Sequence, residues 1–155
     1  MGKKLKILLV DDEEIVRRML ASFLQQFYDV HIAEDVFEAL QIVFGIPAES
    51  FPPETGEIQN FLKNQNKRFA PNAHDTFINY RPDMIIADIK MPKINGFDLV
   101  RILRNYFPSV PVLMITGFEA EGHSNDLDKL QILEILLKPF SPLLLLEKIN
   151  GALMK

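Results

Sequence analysis

Short apolar runs alternate with longer amphipathic segments along the chain. Runs of this length, bounded by turn-forming or acidic residues, are typical of buried strands, because helices need longer segments. The predicted strands are 5–10, 30–33, 83–88, 112–115 and 132–137. Five such runs separated by helical segments predict an α/β fold, a doubly wound parallel sheet with helices on both faces.

The segments between the runs carry the marks of helices. The first has apolar residues at helical spacing: Ile15, Val16, Met19, Leu20, Phe23, Leu24 and Phe27. Glu13 and Glu14 precede it and are interpreted as acids that complement the helix dipole. Later helices are predicted from Asp35 to Phe44, from Gly96 to Phe107 and from Glu119 to Gln131. Ser141 and Pro142 open the last helix, whose predicted buried stripe is Leu143, Leu146, Ile149 and Leu153.

An insertion at 45–81 interrupts this alternation between the second helix and the third strand. Loops in such units usually have about 2–6 residues, and here some thirty extra residues intervene. Within them, 55–69 predicts a further helix with Ile58, Phe61, Leu62 and Phe69 on one face. A mobile surface insertion and a docking element for a partner are both open interpretations.

Composition and charge narrow the class of protein. The 155 residues are the length of one domain, 1–155, with 48% hydrophobic and 25% charged residues. The absence of cysteine excludes disulfides, thiolate metal sites and cysteine nucleophiles. A formal net charge of −4 argues against general nucleic-acid binding, and no apolar run approaches the roughly 20 residues of a membrane span. A cytoplasmic location is expected.

Polar residues with related chemistry end four of the predicted strands. Asp11 and Asp12 follow the first, Asp88 the third, Thr116 the fourth and Lys138 the fifth. In a parallel sheet these ends lie on one edge, so the side chains are expected to converge. Three close carboxylates repel one another unless a cation neutralises them, and oxygen ligands of this kind suit Mg²⁺.

The same residue types indicate phosphoryl transfer. Lys138 and Thr116 offer a positive charge and a hydroxyl, which can hold a tetrahedral anion beside the carboxylates and Mg²⁺. The chain has no glycine-rich phosphate loop, so a phosphoryl group is expected to be accepted on an aspartate rather than bound as part of a nucleotide.

Taken in order, these motifs resemble the receiver domain of two-component response regulators. The matching residues are Asp11-Asp12, Pro82-Asp83, Asp88 with Met91-Pro92 and Asn95-Gly96, Thr116, and Lys138-Pro139-Phe140. The resemblance spans the chain apart from roughly 45–79. It implies a flavodoxin-like three-layer sandwich with strand order 2-1-3-4-5.

The resemblance also implies roles for these residues. Asp88 would be the phosphoacceptor, and Asp12, Asp88 and the backbone carbonyl of Lys90 would ligate Mg²⁺, with Asp11 acting mostly through water. Lys138 would pair with the phosphoryl oxygens, and Thr116 would move toward them after phosphorylation. The Lys138-Pro139 peptide bond is expected to be cis.

The implied function is a signalling switch rather than an enzyme, with only weak self-phosphorylation and self-dephosphorylation. A histidine kinase or histidine phosphotransfer protein would donate the phosphoryl group. The output would be a downstream protein or a homodimer bound through the last two helices, where Leu143–Leu146 adds apolar surface. A stand-alone receiver and a receiver belonging to a longer protein are both open.

Two other functional classes are weighed against this one. An interaction-only pseudo-receiver is favoured by Ile135, which stands where many family members carry an aromatic residue, and by the insertion at 45–81. Gln131-Ile132, in place of the family's usual Gly-Ala pair, is a second departure that concerns the output switch. The complete acidic triad argues against it. A phosphatase with an aspartyl nucleophile usually carries a second acid two residues after the first, and Lys90 occupies that position.

Overall fold

A parallel sheet of five strands forms the centre of the computed structural model, which describes residues 3–69, 78–117 and 124–154. The strands are β1 (Lys6–Val10), β2 (Asp29–Ala33), β3 (Met84–Asp88), β4 (Val112–Thr116) and β5 (Glu134–Leu137). The helices are α1 (Glu14–Leu24), α2 (Val36–Phe44), α3 (Thr55–Phe69), α4 (Gly96–Arg104), α5 (Ser124–Leu130) and α6 (Pro142–Leu153), with a short 3-10 turn at Ala48–Ser50. The predicted alternation of strands and helices is confirmed.

The strands lie in the order β2-β1-β3-β4-β5, and every neighbouring pair is parallel. This confirms the expected topology. The three inner strands are almost continuously apolar and buried, as expected for parallel strands covered on both faces.

Two apolar layers enclose the sheet, one on each face. Because side chains alternate along a strand, Ile7 and Leu9 of β1 face one layer and Leu8 and Val10 face the other. The first layer is formed with α1 and α6, and the second with α2, α3, α4 and α5. The expected three-layer sandwich is therefore confirmed.

The helices are short. They range from the seven residues of α5 to the fifteen of α3. Residues 118–123, which include the predicted start of α5 at Glu119, lie outside the described residues. Within the ranges that the structure describes, no helix has both the length and the apolar character needed to cross a membrane.

The buried stripes of α1 and α6 differ from the predicted ones. Ile15 is 84% exposed and Leu143 is 68% exposed. In α6 the buried side chains are Leu145 and Ile149, so Ile149 was predicted correctly, whereas Leu145 takes the place expected of Leu143. Four leucines in succession fit several helical stripes, so spacing alone could not determine which ones are buried.

The inserted helix α3 packs into the core. Ile58 and Leu62 are fully buried in the apolar layer shared with α2 and α4, and the rings of Phe51 and Phe61 meet edge to face with centroids 5.4 Å apart. The first half of the insertion therefore differs from a mobile surface insertion, one of the two interpretations left open by the sequence. The Phe69 side chain and residues 70–77 lie outside the described residues.

The two ends of the insertion meet at one point on α2. Gly45 ends α2 with a φ of 68°, a left-handed conformation that suits glycine. The backbone N–H groups of Asn79 and Tyr80 both donate to the carbonyl oxygen of Val43, at 2.7 and 3.1 Å. The chain thus leaves and re-enters the α/β unit at the same place, and β3 keeps its position in the sheet.

Candidate functional site

Strand register places the predicted site residues at one edge of the sheet. Val10 pairs with Ala87, so the next residues, Asp11 and Asp88, end adjacent strands. Thr116 ends β4 opposite Leu137, which brings Lys138 to the same edge. From β1 the chain continues to β2 on one side, and β3 to β5 follow on the other side, so the direction of strand order reverses between β1 and β3. Ligands of doubly wound folds bind at such a switch point.

Asp88 is a buried carboxylate held by two donors. Its side chain accepts a hydrogen bond from the Lys90 backbone N–H at Oδ1 (3.1 Å) and from Lys138 Nζ at Oδ2 (3.0 Å). Burial raises the pKa of Asp88 to about 6, and the charge of Asp11 adds to this shift while Lys138 opposes it. Asp88 is therefore a carboxylate with strengthened basicity at the end of a central strand.

The backbone at Asp88 is shaped by a close glycine contact. The Gly96 N–H donates to the carbonyl oxygen of Ile89 at 2.8 Å. A Cβ at Gly96 would overlap the backbone carbonyl oxygen of Asp88. Glycine at the start of α4 is thus required by the loop that presents Asp88.

Asp11 is completely buried and carries an oxygen without a hydrogen bond. Its Oδ1 accepts the Glu13 backbone N–H at 2.9 Å, whereas Oδ2 has no hydrogen-bond partner. Lys138 Nζ lies 2.9 Å from this Oδ2, an ion-pair distance without hydrogen-bond geometry. A buried anionic oxygen in this state is suited to a cation.

The carboxylates of Asp11, Asp12 and Asp88 form one cluster. An oxygen atom from each lies within 4.8 Å of the others. Oxygen donors, a negative charge and the Asp11 Oδ2 that accepts no hydrogen bond fit a hard divalent cation such as Mg²⁺. Within the described residues, this is the cluster of side chains that could hold a metal.

Lys138 connects the carboxylates across the site. Its Nζ lies 2.7 Å from Glu13 Oε1 in addition to its contacts with Asp11 and Asp88. Desolvation alone lowers the pKa of Lys138, but the carboxylates of Glu13, Asp11 and Asp88 outweigh it and raise the pKa above its ordinary value. The Lys138-Pro139 peptide is cis, which confirms the expectation.

Thr116 lies at the neighbouring strand end, and only 3% of the residue is exposed. Its carbonyl oxygen accepts the backbone N–H of Lys138 at 2.7 Å. The threonine and the lysine therefore hold fixed positions relative to each other through the β4–β5 ladder.

A pocket of about 400 Å³ opens onto this edge. Asp12, Glu13, Asp88, Lys90 and Gly117 are among the residues that line it. Its lining combines the carboxylates of Asp12, Glu13 and Asp88 with Lys90, so Asp88 can be reached from this pocket. Such a constellation can support phosphoryl transfer to a carboxylate.

The structure brings the predicted site side chains to one edge of the sheet, as expected from the sequence, and adds a contact of Glu13 that was not predicted. Asp11, Asp88 and Lys138 are in direct contact, Asp12 joins the carboxylate cluster, and Thr116 ends the adjacent strand. Glu13 was interpreted as a helix-dipole acid, yet its side chain makes no capping hydrogen bond and contacts Lys138 instead. Its position directly after Asp12 was the available signal.

Fold and site together define a doubly wound α/β domain with an acidic pocket for phosphoryl chemistry. The family model of the response regulator receiver domain matches residues 63–150, more than half of the chain. The chain therefore belongs to the response regulator receiver domain family, a regulatory domain of two-component signalling.

Curated relatives support this family. The alkaline phosphatase synthesis transcriptional regulatory protein SphR of Synechococcus elongatus is 30% identical over 141 residues, which are 87% of this chain and 43% of that protein. A protein-glutamate methylesterase/protein-glutamine glutaminase of Pyrococcus horikoshii is 25% identical over 146 residues, 91% of this chain and 30% of that protein. The chain spans less than half the length of these relatives.

Solved structures show the same fold. The chemotaxis response regulator CheY4 of Vibrio cholerae is 26% identical and superposes with a TM-score of 0.67, covering 97% of this chain and 99% of that one. A receiver domain protein of Methanospirillum hungatei, at 22% identity, has a TM-score of 0.71 and covers 98% of this chain and 95% of that one. The second likeness concerns the fold alone.

Proposed function

We propose that the chain is a cytoplasmic, phosphorylation-dependent switch that accepts a phosphoryl group on Asp88. The observation that carries this proposal is the environment of that carboxylate, which is buried at the mouth of the pocket, raised in pKa and held by Lys90 N–H and Lys138 Nζ. An oxygen of Asp88 attacks the phosphorus of a phosphohistidine, the O–P bond forms, and the P–N bond breaks as the imidazole leaves.

Lys138 and Thr116 are proposed to serve the phosphoryl group after transfer. Formation of the acyl phosphate removes the negative charge of the Asp88 carboxylate and weakens it as a partner of Lys138. The ammonium group is then able to pair with a phosphoryl oxygen instead. Thr116 ends the adjacent strand, and its hydroxyl is proposed to turn toward the same oxygens. Its connection to Lys138 through the backbone supports a joint response of the two residues.

Asp12, Asp88 and the backbone carbonyl of Lys90 are proposed to hold Mg²⁺, with Asp11 acting mostly through water. The compact carboxylate cluster and the buried Asp11 Oδ2, which has an ion-pair contact with Lys138 but no hydrogen bond, support this assignment. When bound, the ion supplies positive charge that offsets the phosphoryl oxygens during transfer.

The proposed phosphoryl donor is a histidine kinase or a histidine phosphotransfer protein, and the proposed output is a downstream protein or a second copy of the chain. Exposed apolar side chains at β5 and α6 support the output face: Leu137 at 53%, Leu143 at 68% and Leu144 at 38%. We treat 1–155 as one receiver domain with 45–81 inserted in it.

Intact mass spectrometry with acetyl phosphate and Mg²⁺ tests the phosphoacceptor. The wild-type chain is expected to gain one phosphoryl group (about 80 Da), and Asp88→Asn is expected to gain none. Asp35→Asn is the matched control, because Asp35 caps α2 by accepting the Glu38 N–H and asparagine caps equally well. That variant should be phosphorylated like the wild type, and chelation of Mg²⁺ should suppress the reaction.

Two outcomes would count against the proposal. Phosphorylation that persists in Asp88→Asn would move the acceptor to another residue. A folded wild-type chain that gains no mass would favour the interaction-only pseudo-receiver, a binding module that does not depend on phosphorylation.

A further inference from the structure

The ammonium group of Lys138 is shared among three carboxylates. Its nearest neighbour is Glu13 Oε1 at 2.7 Å, followed by Asp11 Oδ2 at 2.9 Å and Asp88 Oδ2 at 3.0 Å. It donates hydrogen bonds to Glu13 and Asp88. The side chain of Lys138 is only 11% exposed, so these carboxylates largely replace water around it.

Glu13 differs from the other two acids in position. The Glu13 side chain is 56% exposed at the rim of the pocket, whereas Asp11 is completely buried. The backbone N–H of Glu13 is fixed to Asp11 Oδ1, while its side chain makes no cap hydrogen bond at the start of α1. Because the Glu13 backbone is held by Asp11 and its carboxylate makes no cap hydrogen bond, the carboxylate is available to bind Lys138.

A phosphoryl group on Asp88 changes the balance around Lys138. Phosphorylation adds negative charge and new acceptor oxygens next to an ammonium group that already donates to Glu13. Glu13 then competes for the same cation and repels the phosphoryl oxygens. Its half-exposed carboxylate can turn into water, whereas the buried Asp11 cannot.

We propose that Glu13 is a positioning residue that restrains Lys138 in the unphosphorylated protein and opposes retention of the phosphoryl group. This inference rests on the proposed phosphoacceptor function. Removal of the Glu13 charge should release Lys138 for the phosphoryl oxygens and favour the phosphorylated form. The residue thus limits how strongly the switch is held in its phosphorylated state.

Glu14 provides a matched control for charge. It follows Glu13 directly and carries the same charge, but its carboxylate pairs with Arg18 at 2.9 Å on the surface of α1. Glu14→Gln therefore changes the net charge near the site by the same amount as Glu13→Gln and leaves the partners of Lys138 in place.

The test is a titration with beryllofluoride, a phosphoryl mimic that does not turn over, at saturating Mg²⁺. Glu13→Gln is expected to bind it about threefold to tenfold more tightly than the wild type, the range for loss of a partly screened competing charge. Glu14→Gln should stay within about twofold. The side-chain ¹⁵N resonance of Lys138 without ligand should shift in Glu13→Gln and stay in place in Glu14→Gln.

The outcomes separate this inference from the proposed function. Equal tightening in both variants would assign the effect to general charge and overturn the role of Glu13. Weaker or unchanged binding in Glu13→Gln, or an unmoved Lys138 resonance, would overturn it as well. A folded wild-type chain that binds no beryllofluoride would remove the phosphoacceptor proposal, and the role of Glu13 with it.

Discussion

At the scale of single residues, Gln131 adopts a backbone conformation that favours glycine. Its φ is 55°, in the left-handed region, where an L side chain crowds the backbone. The resemblance described from the sequence implies a glycine at this position, before the fifth strand. Its carbonyl oxygen accepts Arg104 Nη2 at 3.1 Å, and the same guanidinium also binds the carbonyl oxygens of Leu130, Phe107 and Val110. Arg104 thus stabilises the turn before β5, although position 131 carries glutamine rather than glycine.

Gln131→Gly is expected to stabilise the protein by about 0.5–1 kcal/mol, because relief of backbone crowding exceeds the extra flexibility of the unfolded chain. Urea denaturation with circular dichroism measures the change. Gln131→Ala is the control, since alanine keeps the crowded conformation. An equal gain in the alanine variant would show that the glutamine side chain, rather than the backbone, is unfavourable.

The candidate site was predictable residue by residue wherever a polar side chain followed an apolar run. Asp11, Asp88 and Lys138 were found this way, because strand ends converge in a parallel sheet. Glu13 was not, because an acid in a first turn satisfies the helix dipole equally well. Only the distance to Lys138, 125 residues away in sequence, distinguishes the two interpretations.

At the scale of elements, α3 is the addition to an otherwise regular fold. Its buried side chains Ile58 and Leu62 join the apolar layer that contains Phe44 of α2 and Tyr106 after α4. The rings of Phe44 and Tyr106 meet edge to face, 5.0 Å apart. The insertion thus extends the core on one face of the sheet.

Leu62→Ala is expected to destabilise the protein by about 2–4 kcal/mol, the usual range for a cavity left by a buried leucine. The exposed Asn60 on the same helix is the matched control, and Asn60→Ala should change stability by less than about 0.5 kcal/mol. Chemical denaturation measures both. A loss below about 1 kcal/mol for Leu62→Ala would argue against a core position for α3.

Apolar spacing predicted that α3 exists and which of its faces is apolar. It could not predict what that face contacts, because periodicity carries no information about distant partners. The same limit explains α1 and α6, where the apolar residues outnumber those that one face against the sheet can bury. Ile15 and Leu143 are consequently exposed.

At the scale of the whole molecule, folding brings the carboxylates of the site together and removes two of them from water. Asp11 and Asp88 are buried while Asp12 is exposed. The folded-state pKa of Asp88, about 6, lies above the ordinary value of about 3.9 expected in an unfolded chain. The folded protein therefore binds this proton more tightly than the unfolded chain does. The stability that protonated Asp88 contributes is complete below about pH 4 and is lost as the pH rises through about 6.

Asp88→Asn is expected to stabilise the metal-free protein at pH 7.5 by on the order of 1–3 kcal/mol, and the gain should vanish near pH 4. Urea denaturation of both proteins across this pH range in EDTA measures the difference, in which contributions from carboxylates away from the site cancel. Mg²⁺ should narrow the gap, because it stabilises the wild-type site by binding to the folded state. A gap independent of pH would assign the effect to packing rather than to the charge of Asp88.

The Val43 carbonyl oxygen, which accepts two backbone hydrogen bonds from the end of the insertion, has a consequence for how the length of the insertion can change. The insertion leaves α2 just after Val43, and Asn79 and Tyr80 at its other end donate to the Val43 carbonyl oxygen. The length of chain between α2 and β3 therefore does not affect the register of the strands. The entropy of closing a loop grows only slowly with its length, by about 0.6 kcal/mol for each doubling. Chain can therefore be added at that junction while the acidic edge keeps its geometry, provided that the buried face of α3 is retained. The same junction offers protein engineers a place to splice in a reporter domain.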